Sequence, residues 1–167
     1  MGRALVTGAG SESGIGFAVA TALQAAGHDL VIASTTDRIH DRAAAIGAAG
    51  IAGDLRDAAT IDRLVAAGPF DICVNNAGMV TVGGGEQLDA ALTDTTDEDW
   101  ATAIAINLTT CFAVTRAVVP AMRAQRRGRI VNVASTSGPV QAFVGDVPYH
   151  AAKAGMVGFT RAVALGI

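Results

Sequence analysis

Residues 4–16, with the sequence ALVTGAGSESGIG, decide the fold. A short apolar run at 4–7 enters a glycine-rich turn directly, and apolar residues then recur at helical spacing from 14 to 26. A second apolar run follows at 30–33, after Gly27. This order predicts a strand, a helix and a second strand, which together form the βαβ unit of a parallel sheet.

The glycines of this turn have two interpretations. They let the backbone approach a pyrophosphate closely, and the N–H groups at the start of the helix provide a positive pole for it. Glycine-rich turns between a strand and a helix also occur for purely conformational reasons. Taken alone, the turn leaves dinucleotide binding and a simple tight turn as open alternatives.

The alternation of strands and helices continues along the chain. Further strands are predicted at 51–52, 71–74 and 130–133, and helices at 38–48, 58–67 and 149–165, with a long helix that Thr96 or Asp97 caps. The Gly-rich, polar stretch 78–95 predicts a loop. The strands are continuous apolar runs, as expected where both faces are buried. We therefore predict an α/β fold with a doubly wound parallel sheet of Rossmann type, as a single domain over residues 1–167.

Composition excludes several classes of protein. The 167 residues, 51% of them hydrophobic, suit one domain with one substantial core. A net charge of -3 argues against a protein that binds nucleic acid through phosphate contacts. We expect no leader segment and no apolar stretch that approaches membrane-spanning length. These features predict a cytoplasmic protein that binds neither nucleic acid nor membranes.

No group of side chains has the spacing of a metal site. Cys73 and Cys111 lie in apolar segments without C-x-x-C spacing, which predicts buried, reduced thiols. His28, His40 and His150 lack ligand-like spacing and are predicted to be structural or surface residues. We predict no metal.

Tyr149 and Lys153 lie four residues apart in the last predicted helix, so their side chains share one helical face. An ammonium about 4 Å from a phenol, at an effective dielectric of about 20, is worth about 4 kcal/mol and favours the phenolate. Such a tyrosine can exchange a proton near neutral pH. A surface lysine packed over a tyrosine ring is the alternative, and for an isolated Y-x-x-x-K motif it is the better interpretation.

In their order along the chain, these residues resemble the short-chain dehydrogenase/reductase family. The set comprises the glycine-rich turn, Asp54-Leu55 after the third strand, Asn75 to Gly78 after the fourth, Asn107 in the long helix, Ser135 after the fifth, and Tyr149 with Lys153. The resemblance extends from Arg3 to the end of the chain. It implies an NAD(P)(H)-dependent oxidoreductase that interconverts a ketone and a secondary alcohol, with a 3-oxoacyl-acyl carrier protein reductase as the first choice.

The resemblance also implies roles for the reacting residues. Tyr149 exchanges a proton with the substrate oxygen while hydride moves to or from the nicotinamide, and Lys153 stabilises the phenolate and holds the nicotinamide ribose. Ser135 donates a hydrogen bond to the substrate oxygen. Ser137 is the alternative to Ser135, which is preferred because Gly138 lies where the family has a glycine three residues after its serine.

Asn107 and a set of cofactor-binding residues complete the implied site. Asn107 would support a water that relays protons to Lys153, although satisfying backbone groups inside a packed helix is an equal alternative. The residues expected to contact the dinucleotide are Gly8, Ser11, Gly14, Ile15, Gly16, Ser34, Thr35, Arg38, Asp54, Leu55, Asn76, Ala77, Gly78, Tyr149 and Lys153. Asp54 is expected to contact the adenine, and residues 75–78 to line the cofactor cleft and steady the sheet.

The end of the second strand predicts the choice of cofactor. Dinucleotide folds that bind NAD place an acidic residue there, about twenty positions after the glycine turn, to bind the ribose 2′-hydroxyl. Here Ser34, Thr35 and Arg38 offer hydroxyls and a guanidinium to a 2′-phosphate. NADP(H) is therefore favoured, and NAD(H) remains an alternative because Asp37 lies among them.

Two features depart from the family pattern. Five residues separate Gly8 from Gly14, where the family usually has three, so the phosphate loop is longer. Related enoyl reductases also have extended loops but separate their Tyr and Lys more widely, which favours a ketone or alcohol substrate here. Family members are also longer, and the strands and substrate-covering loop after the last helix are expected to be missing. A chain that truly ends there is expected to associate or aggregate and to reduce no ketone.

A non-catalytic dinucleotide-binding sensor on the same fold is the alternative function. Such proteins usually lose the tyrosine and lysine, whereas this chain keeps Tyr149 and Lys153. The enzyme is therefore favoured. Its expected partners are a small carbonyl or alcohol substrate and further copies of the chain in a dimer or tetramer.

Overall fold

A computed structural model describes residues 2–79 and 92–166 of the protein. Its strands are β1 Arg3–Thr7, β2 Asp29–Ser34, β3 Ala49–Ala52, β4 Ile72–Asn75 and β5 Arg129–Asn132. Its helices are α1 Ile15–Ala25, α2 Arg38–Ala45, α3 Ala58–Ala66, α4 Asp97–Ile104, α5 Thr110–Ala124 and α6 Val147–Gly166. A 3-10 turn, Leu92–Asp94, precedes α4, and a π-helical turn, Ala105–Thr109, joins α4 to α5. Most of the predicted 78–95 loop, residues 80–91, lies outside the described residues.

The described strands form one parallel sheet in the order β3-β2-β1-β4-β5. The first three strands are added in one direction, and the chain then crosses β1 to place β4 and β5 on its other side. Ligands of such sheets bind at the carboxyl ends of the strands where this direction reverses, here beside β1 and β4. The predicted doubly wound α/β fold of Rossmann type, in a single domain, is confirmed.

The residues of this fold separate into two compact units. The first consists of residues 1–77 and 113–133 and contains the whole sheet, α1 to α3 and most of α5. The second consists of residues 78–112 and 134–167 and contains α4, the π-helical turn and α6.

The core of the first unit lies on both faces of the sheet. Along β1, Leu5 joins a buried cluster that includes Leu64 of α3 and Val118 of α5. Its neighbour Val6 joins a second cluster with Ile39 of α2. Successive side chains of a strand point to opposite faces, so a strand covered by helices on both sides must be apolar throughout.

In the second unit, helix ends and small residues position α4 and α6. Thr96 caps α4, because its Oγ1 accepts a hydrogen bond of 3.0 Å from the N–H of Asp99, and this decides between the two predicted caps. On α6, a Cβ added to Gly155 would lie 3.0 Å from Leu108 Cδ2, so a glycine lets the π-helical turn approach closely. Phe112 and Phe159 add an edge-to-face contact with ring centroids 6.3 Å apart.

Several element boundaries differ from those predicted. Helix α2 ends at Ala45 rather than 48, because Gly47 adopts a φ of +65° and the N–H of Ala48 bonds back to the carbonyl of Ala43. The weak third strand is longer than predicted and begins at Ala49. Helix α6 begins at Val147, before the predicted start at Tyr149.

The helical stretch Asp97–Ala124 corrects one expectation from the sequence. By length and composition it suffices to cross a membrane, since an 18-residue window within it has a mean hydropathy of 1.5. Threonines and single charges interrupt the stretch but leave this hydropathy high. The core helix of a soluble protein passes the same test, and 39% of that window is buried inside the protein, so the stretch is weak evidence for a membrane span.

Candidate active site

The glycine-rich turn connects β1 to α1 in the first unit. Gly8 has a φ of +71°, and a Cβ there would lie 2.8 Å from Ala77 Cα. A Cβ on Gly16 would lie 2.6 Å from the carbonyl oxygen of Gly8. Packing within the protein therefore already requires these two glycines.

The start of α1 has the chemistry of an anion site. Its N-cap residue, Gly14, has no side chain to cap the helix, so N–H groups of the first turn keep donor capacity for a ligand. Gly14 itself donates to the carbonyl of Ser11, and the side chains of Ser11 and Ile15 are exposed. These residues fit a pyrophosphate, in addition to the purely conformational role of the glycines.

The hydroxyls and guanidinium predicted to receive a 2′-phosphate lie around the end of β2. Ser34 lies against the turn, since a Cβ on Gly10 would be 2.7 Å from its Oγ. Ser34 Oγ donates to the carbonyl of Thr36 at 3.2 Å, and Arg38 Nε donates to Thr36 Oγ1 at 3.3 Å. Thr35 and Arg38 are exposed and remain accessible to a ligand.

A second guanidinium on α2 escaped the sequence analysis. Arg42, one helical turn after Arg38, forms an ion pair of 3.3 Å with Glu12 of the lengthened phosphate loop and lies 5.9 Å from the Phe17 ring centroid. Its Nε is buried without a hydrogen-bond partner among the described residues. The spacing of Arg38 and Arg42 places both side chains on one face of the helix, and this pattern could have identified Arg42 from the sequence.

Asp54 and Leu55 are both predicted to contact the cofactor, but they differ in the groups that a ligand could reach. The Arg56 guanidinium hydrogen-bonds both carboxylate oxygens of Asp54, and this holds the pKa of Asp54 below its usual value. An adenine would therefore meet a paired carboxylate. Leu55 is buried in the core cluster, which leaves only its backbone for a ligand.

Asn75 holds the neighbouring strand and helix together. Its Nδ2 donates to Asn132 Oδ1 on β5 at 2.8 Å and to Thr115 Oγ1 on α5 at 2.9 Å. Asn75 is 3% exposed, and a buried amide with unused donors would destabilise the fold. The predicted steadying of the sheet is confirmed for this residue.

Asn76 and Ala77 fasten the next segment to the end of β1. Asn76 Nδ2 donates to the carbonyls of Thr7 and Gly8 at 3.1 Å each. Thr7 Oγ1 accepts the backbone N–H groups of Asn76 and Ala77, also at 3.1 Å. These bonds fix the segment beside the glycine turn, and its contact with a cofactor stays a prediction.

Tyr149 and Lys153 lie one turn apart on α6, in the second unit. Lys153 Nζ lies 5.7 Å from the centroid of the Tyr149 ring, and Lys153 is only 5% exposed. A surface lysine packed over a tyrosine therefore does not describe this pair. Burial lowers the pKa of Lys153, and the nearby Cys111 opposes that shift.

Gly78 and Asn107 lie next to this lysine. A Cβ on Gly78 would be 2.6 Å from Asn107 Oδ1 and 3.3 Å from Lys153 Nζ. Asn107 is fully buried in the π-helical turn, which the sequence analysis did not anticipate. Turns of this kind often occur at functional sites.

The Asn107 amide bonds to the backbone. Its Oδ1 accepts from the N–H of Met79 at 3.1 Å, and its Nδ2 donates to the carbonyls of Met79 and Ala103 at 2.9 and 3.0 Å. These hydrogen bonds match the alternative role of Asn107, in which it satisfies backbone groups inside a packed helix. The predicted proton relay through a water would have to act beside them.

Ser135 is the better placed of the two candidate serines. Its Oγ accepts the N–H of Ser137 at 3.0 Å, which leaves its own O–H available to a substrate. Ser137 is 9% exposed. Gly138 has a φ of +93°, and a Cβ there would collide with the carbonyl of His150 on α6. The glycine three residues after Ser135 is thus needed for the close approach of this loop to α6.

Within residues 2–79 and 92–166, no three His, Cys, Asp or Glu side chains are grouped to hold a metal ion. Cys73 and Cys111 are buried and form no disulfide bond, as predicted.

Comparison with known proteins identifies the family. The family model for short chain dehydrogenases matches residues 3–167. The chain belongs to the short-chain dehydrogenase family. The resemblance found in the sequence is thereby confirmed.

The chain is 43% identical to a protein described as a ketoacyl reductase of the monensin polyketide synthase of Streptomyces virginiae, and the match covers 96% of the chain and 62% of that protein. It is 41% identical to a D-beta-hydroxybutyrate dehydrogenase of Cupriavidus necator, covering 97% of the chain and 63% of the relative. Among solved structures, a variant of actinorhodin polyketide ketoreductase with NADPH superposes with a TM-score of 0.87 at 37% identity, over 98% of the chain and 64% of the other. The chain thus spans less than two thirds of the length of these short-chain dehydrogenases.

Proposed function

We propose that the protein is an NAD(P)(H)-dependent oxidoreductase that interconverts a ketone and a secondary alcohol. The observation that carries this proposal is the buried ammonium of Lys153 beside the Tyr149 ring, with Gly78 close to both Lys153 and Asn107. A buried lysine is costly unless it interacts with specific groups, and shifted pKa values concentrate at functional sites.

Each reacting residue has a separate role in the proposed reaction. In the direction of reduction, the cofactor supplies a hydride to the carbonyl carbon. The Tyr149 O–H transfers its proton to the carbonyl oxygen, which becomes the alcohol, and Ser135 donates a hydrogen bond to the same oxygen. When charged, Lys153 stabilises the Tyr149 phenolate that remains. A proton from solvent then restores the phenol, and Asn107 supports a water along that path.

A 3-oxoacyl thioester is the substrate we propose to test first. One relative is described as a ketoacyl reductase, and another as a hydroxybutyrate dehydrogenase. The first name describes a keto group on an acyl chain, and the second describes a hydroxyl group at the beta carbon of one.

NADP(H) is the cofactor we propose, with NAD(H) as the alternative. Ser34, Thr35 and Arg38 offer two hydroxyls and a guanidinium, and Arg42 adds a second guanidinium on the same helix. Arginine binds phosphate oxygens through pairs of N–H groups. A related solved structure contains NADPH.

We further propose that the protein assembles with copies of itself in the cytoplasm, as a dimer or tetramer. Trp100 of α4 and Phe112 of α5 are 44% and 42% exposed. Large aromatic side chains on a surface are frequent anchors of protein interfaces.

A binding and turnover experiment tests the function. The protein is titrated with NADPH and NADH while cofactor fluorescence is recorded, and NADPH oxidation is then followed with a panel of ketones that includes a 3-oxoacyl thioester. We expect binding and turnover of at least one ketone. Binding without turnover of any ketone or oxidation of any alcohol would instead favour the dinucleotide-binding sensor.

A further inference from the structure

His150 follows Tyr149 directly in α6, and both of its ring nitrogens have backbone partners. Nε2 lies 3.2 Å from the nitrogen of Phe143, and Nδ1 lies 2.9 Å from the carbonyl oxygen of Asp146. An N–H can only donate and a carbonyl can only accept. These two partners suit the tautomer in which Nδ1–H donates to Asp146 and the Nε2 lone pair accepts from Phe143.

The same residue meets the chain at two further points. Its ring lies 4.3 Å from the Phe143 ring, tilted by 58°. Its backbone carbonyl is the group that a Cβ on Gly138 would strike. His150 thus contacts both ends of the segment 138–146, which connects the loop of Ser135 to the helix of Tyr149.

The backbone of Asp146, within this segment, is strained. Its φ is +46°, in the left-handed region that side chains other than glycine rarely adopt. Its Oδ2 is buried without a hydrogen-bond partner among the described residues, and burial raises the pKa of Asp146. Such a conformation persists only where neighbouring contacts impose it. The bond from His150 to the Asp146 carbonyl is one such contact.

We propose that His150 is a positioning residue, whose imidazole fixes segment 138–146 against the first turn of α6 and so sets where the Ser135 hydroxyl lies relative to the Tyr149 hydroxyl. In its effect on turnover this inference rests on the proposed function. Misplacing a substrate-binding group by about 1 Å can cost about 100-fold in rate. Holding the segment therefore matters to chemistry that His150 does not itself perform.

Three substitutions separate the contacts of the ring. His150→Asn keeps an N–H donor near the position of Nδ1 and removes the acceptor for Phe143. His150→Gln places a carbonyl oxygen near the position of Nε2 and restores that acceptor. His150→Phe keeps the aromatic contact and removes both hydrogen bonds. His40→Asn, at an exposed position of α2, is the matched control.

Hydrogen exchange of the Phe143 amide, measured by NMR on the whole protein, tests the inference directly. We expect exchange to accelerate at least about 10-fold in His150→Asn and His150→Phe, to return towards the original rate in His150→Gln, and to stay unchanged in His40→Asn. An unchanged Phe143 exchange rate in His150→Asn would overturn the inference, whatever the activity.

Enzyme kinetics test whether His150 positions the groups that bind the substrate. We expect kcat for ketone reduction to fall about 10- to 100-fold in His150→Asn and His150→Phe, with less loss in His150→Gln and unchanged NADPH affinity in all three. Equal kcat values in all variants would overturn the positioning role. If the unsubstituted protein reduces no ketone, the proposed function fails, and the exchange measurement still decides whether His150 holds the segment.

Discussion

Lys153 Nζ lies 5.7 Å from the centre of the Tyr149 ring, and the lysine side chain is almost completely withdrawn from solvent. Withdrawal from water destabilises the ammonium and lowers its pKa, whereas a nearby phenolate would stabilise it. A charged lysine in this position therefore lowers the stability of the fold.

The cost predicts the effect of removing that charge. Lys153→Met keeps the length of the side chain and should leave stability unchanged or raise it by about 1 kcal/mol, equivalent to about 2–4 °C in Tm. The same substitution should weaken cofactor binding and abolish most turnover. Calorimetry with parallel NADPH titration tests both effects, and a large loss of stability would contradict this account of Lys153.

The sign of the pH dependence follows from the direction of the shift. Because the folded-state pKa of Lys153 is lowered, the unfolded chain binds more protons in the interval below the usual lysine value. The contribution of Lys153 therefore favours folding as pH rises through that interval and is lost as pH falls through the folded-state pKa. The free energy of unfolding, compared with that of Lys153→Met over this range, should show a slope that the variant lacks.

Two glycines provide a matched test of the contact between the Ser135 loop and α6. Gly138→Ala combines a φ of +93° with a collision against the His150 carbonyl and should destabilise the fold by about 2–4 kcal/mol. Gly158→Ala, within α6 and with open space around it, should stabilise by up to about 1 kcal/mol. Urea unfolding compares them, and similar effects of both substitutions would argue against the tight approach at Gly138.

Arg38 should decide between the two cofactors. Arg38→Ala is expected to weaken NADPH binding about 10-fold and to leave NADH binding nearly unchanged, because only NADPH carries the 2′-phosphate. Arg123→Ala, an exposed arginine of α5, is the control. If the unsubstituted protein binds NADH more tightly than NADPH, the assignment of these residues to a phosphate is wrong.

Self-association should depend on the exposed aromatic residues of the long helical stretch. Trp100→Glu and Phe112→Glu each place a charge where the proposed interface would bury an aromatic ring, and both should reduce the mass measured by light scattering. Val65→Glu, on α3, changes an exposed apolar residue elsewhere and is the comparison. A monomeric unsubstituted protein would contradict the assembly.

The sequence predicted the order and type of every described strand because strands covered on both faces, such as the run around Leu5, must be apolar throughout. It also predicted that Tyr149 and Lys153 share a face, since helix geometry alone places them there. Side-chain pairs between distant segments, such as Glu12 with Arg42, depend on how the loop and helix meet and leave no local pattern. The π-helical turn at Asn107 was not predicted for the same reason. Within this turn, Asn107 forms hydrogen bonds to Met79, which lies on another segment of the chain.

Tyr149→Phe in a ketone-reduction assay tests the central claim most directly, because it removes the transferable proton and keeps the ring beside Lys153. NADPH oxidation is measured with the best ketone of the panel, and NADPH affinity is measured on the same samples. We predict a fall in kcat of about 100- to 10,000-fold with nearly unchanged cofactor affinity. Ketone reduction at the original rate in Tyr149→Phe would show that another group supplies the proton and would contradict the mechanism proposed for this site.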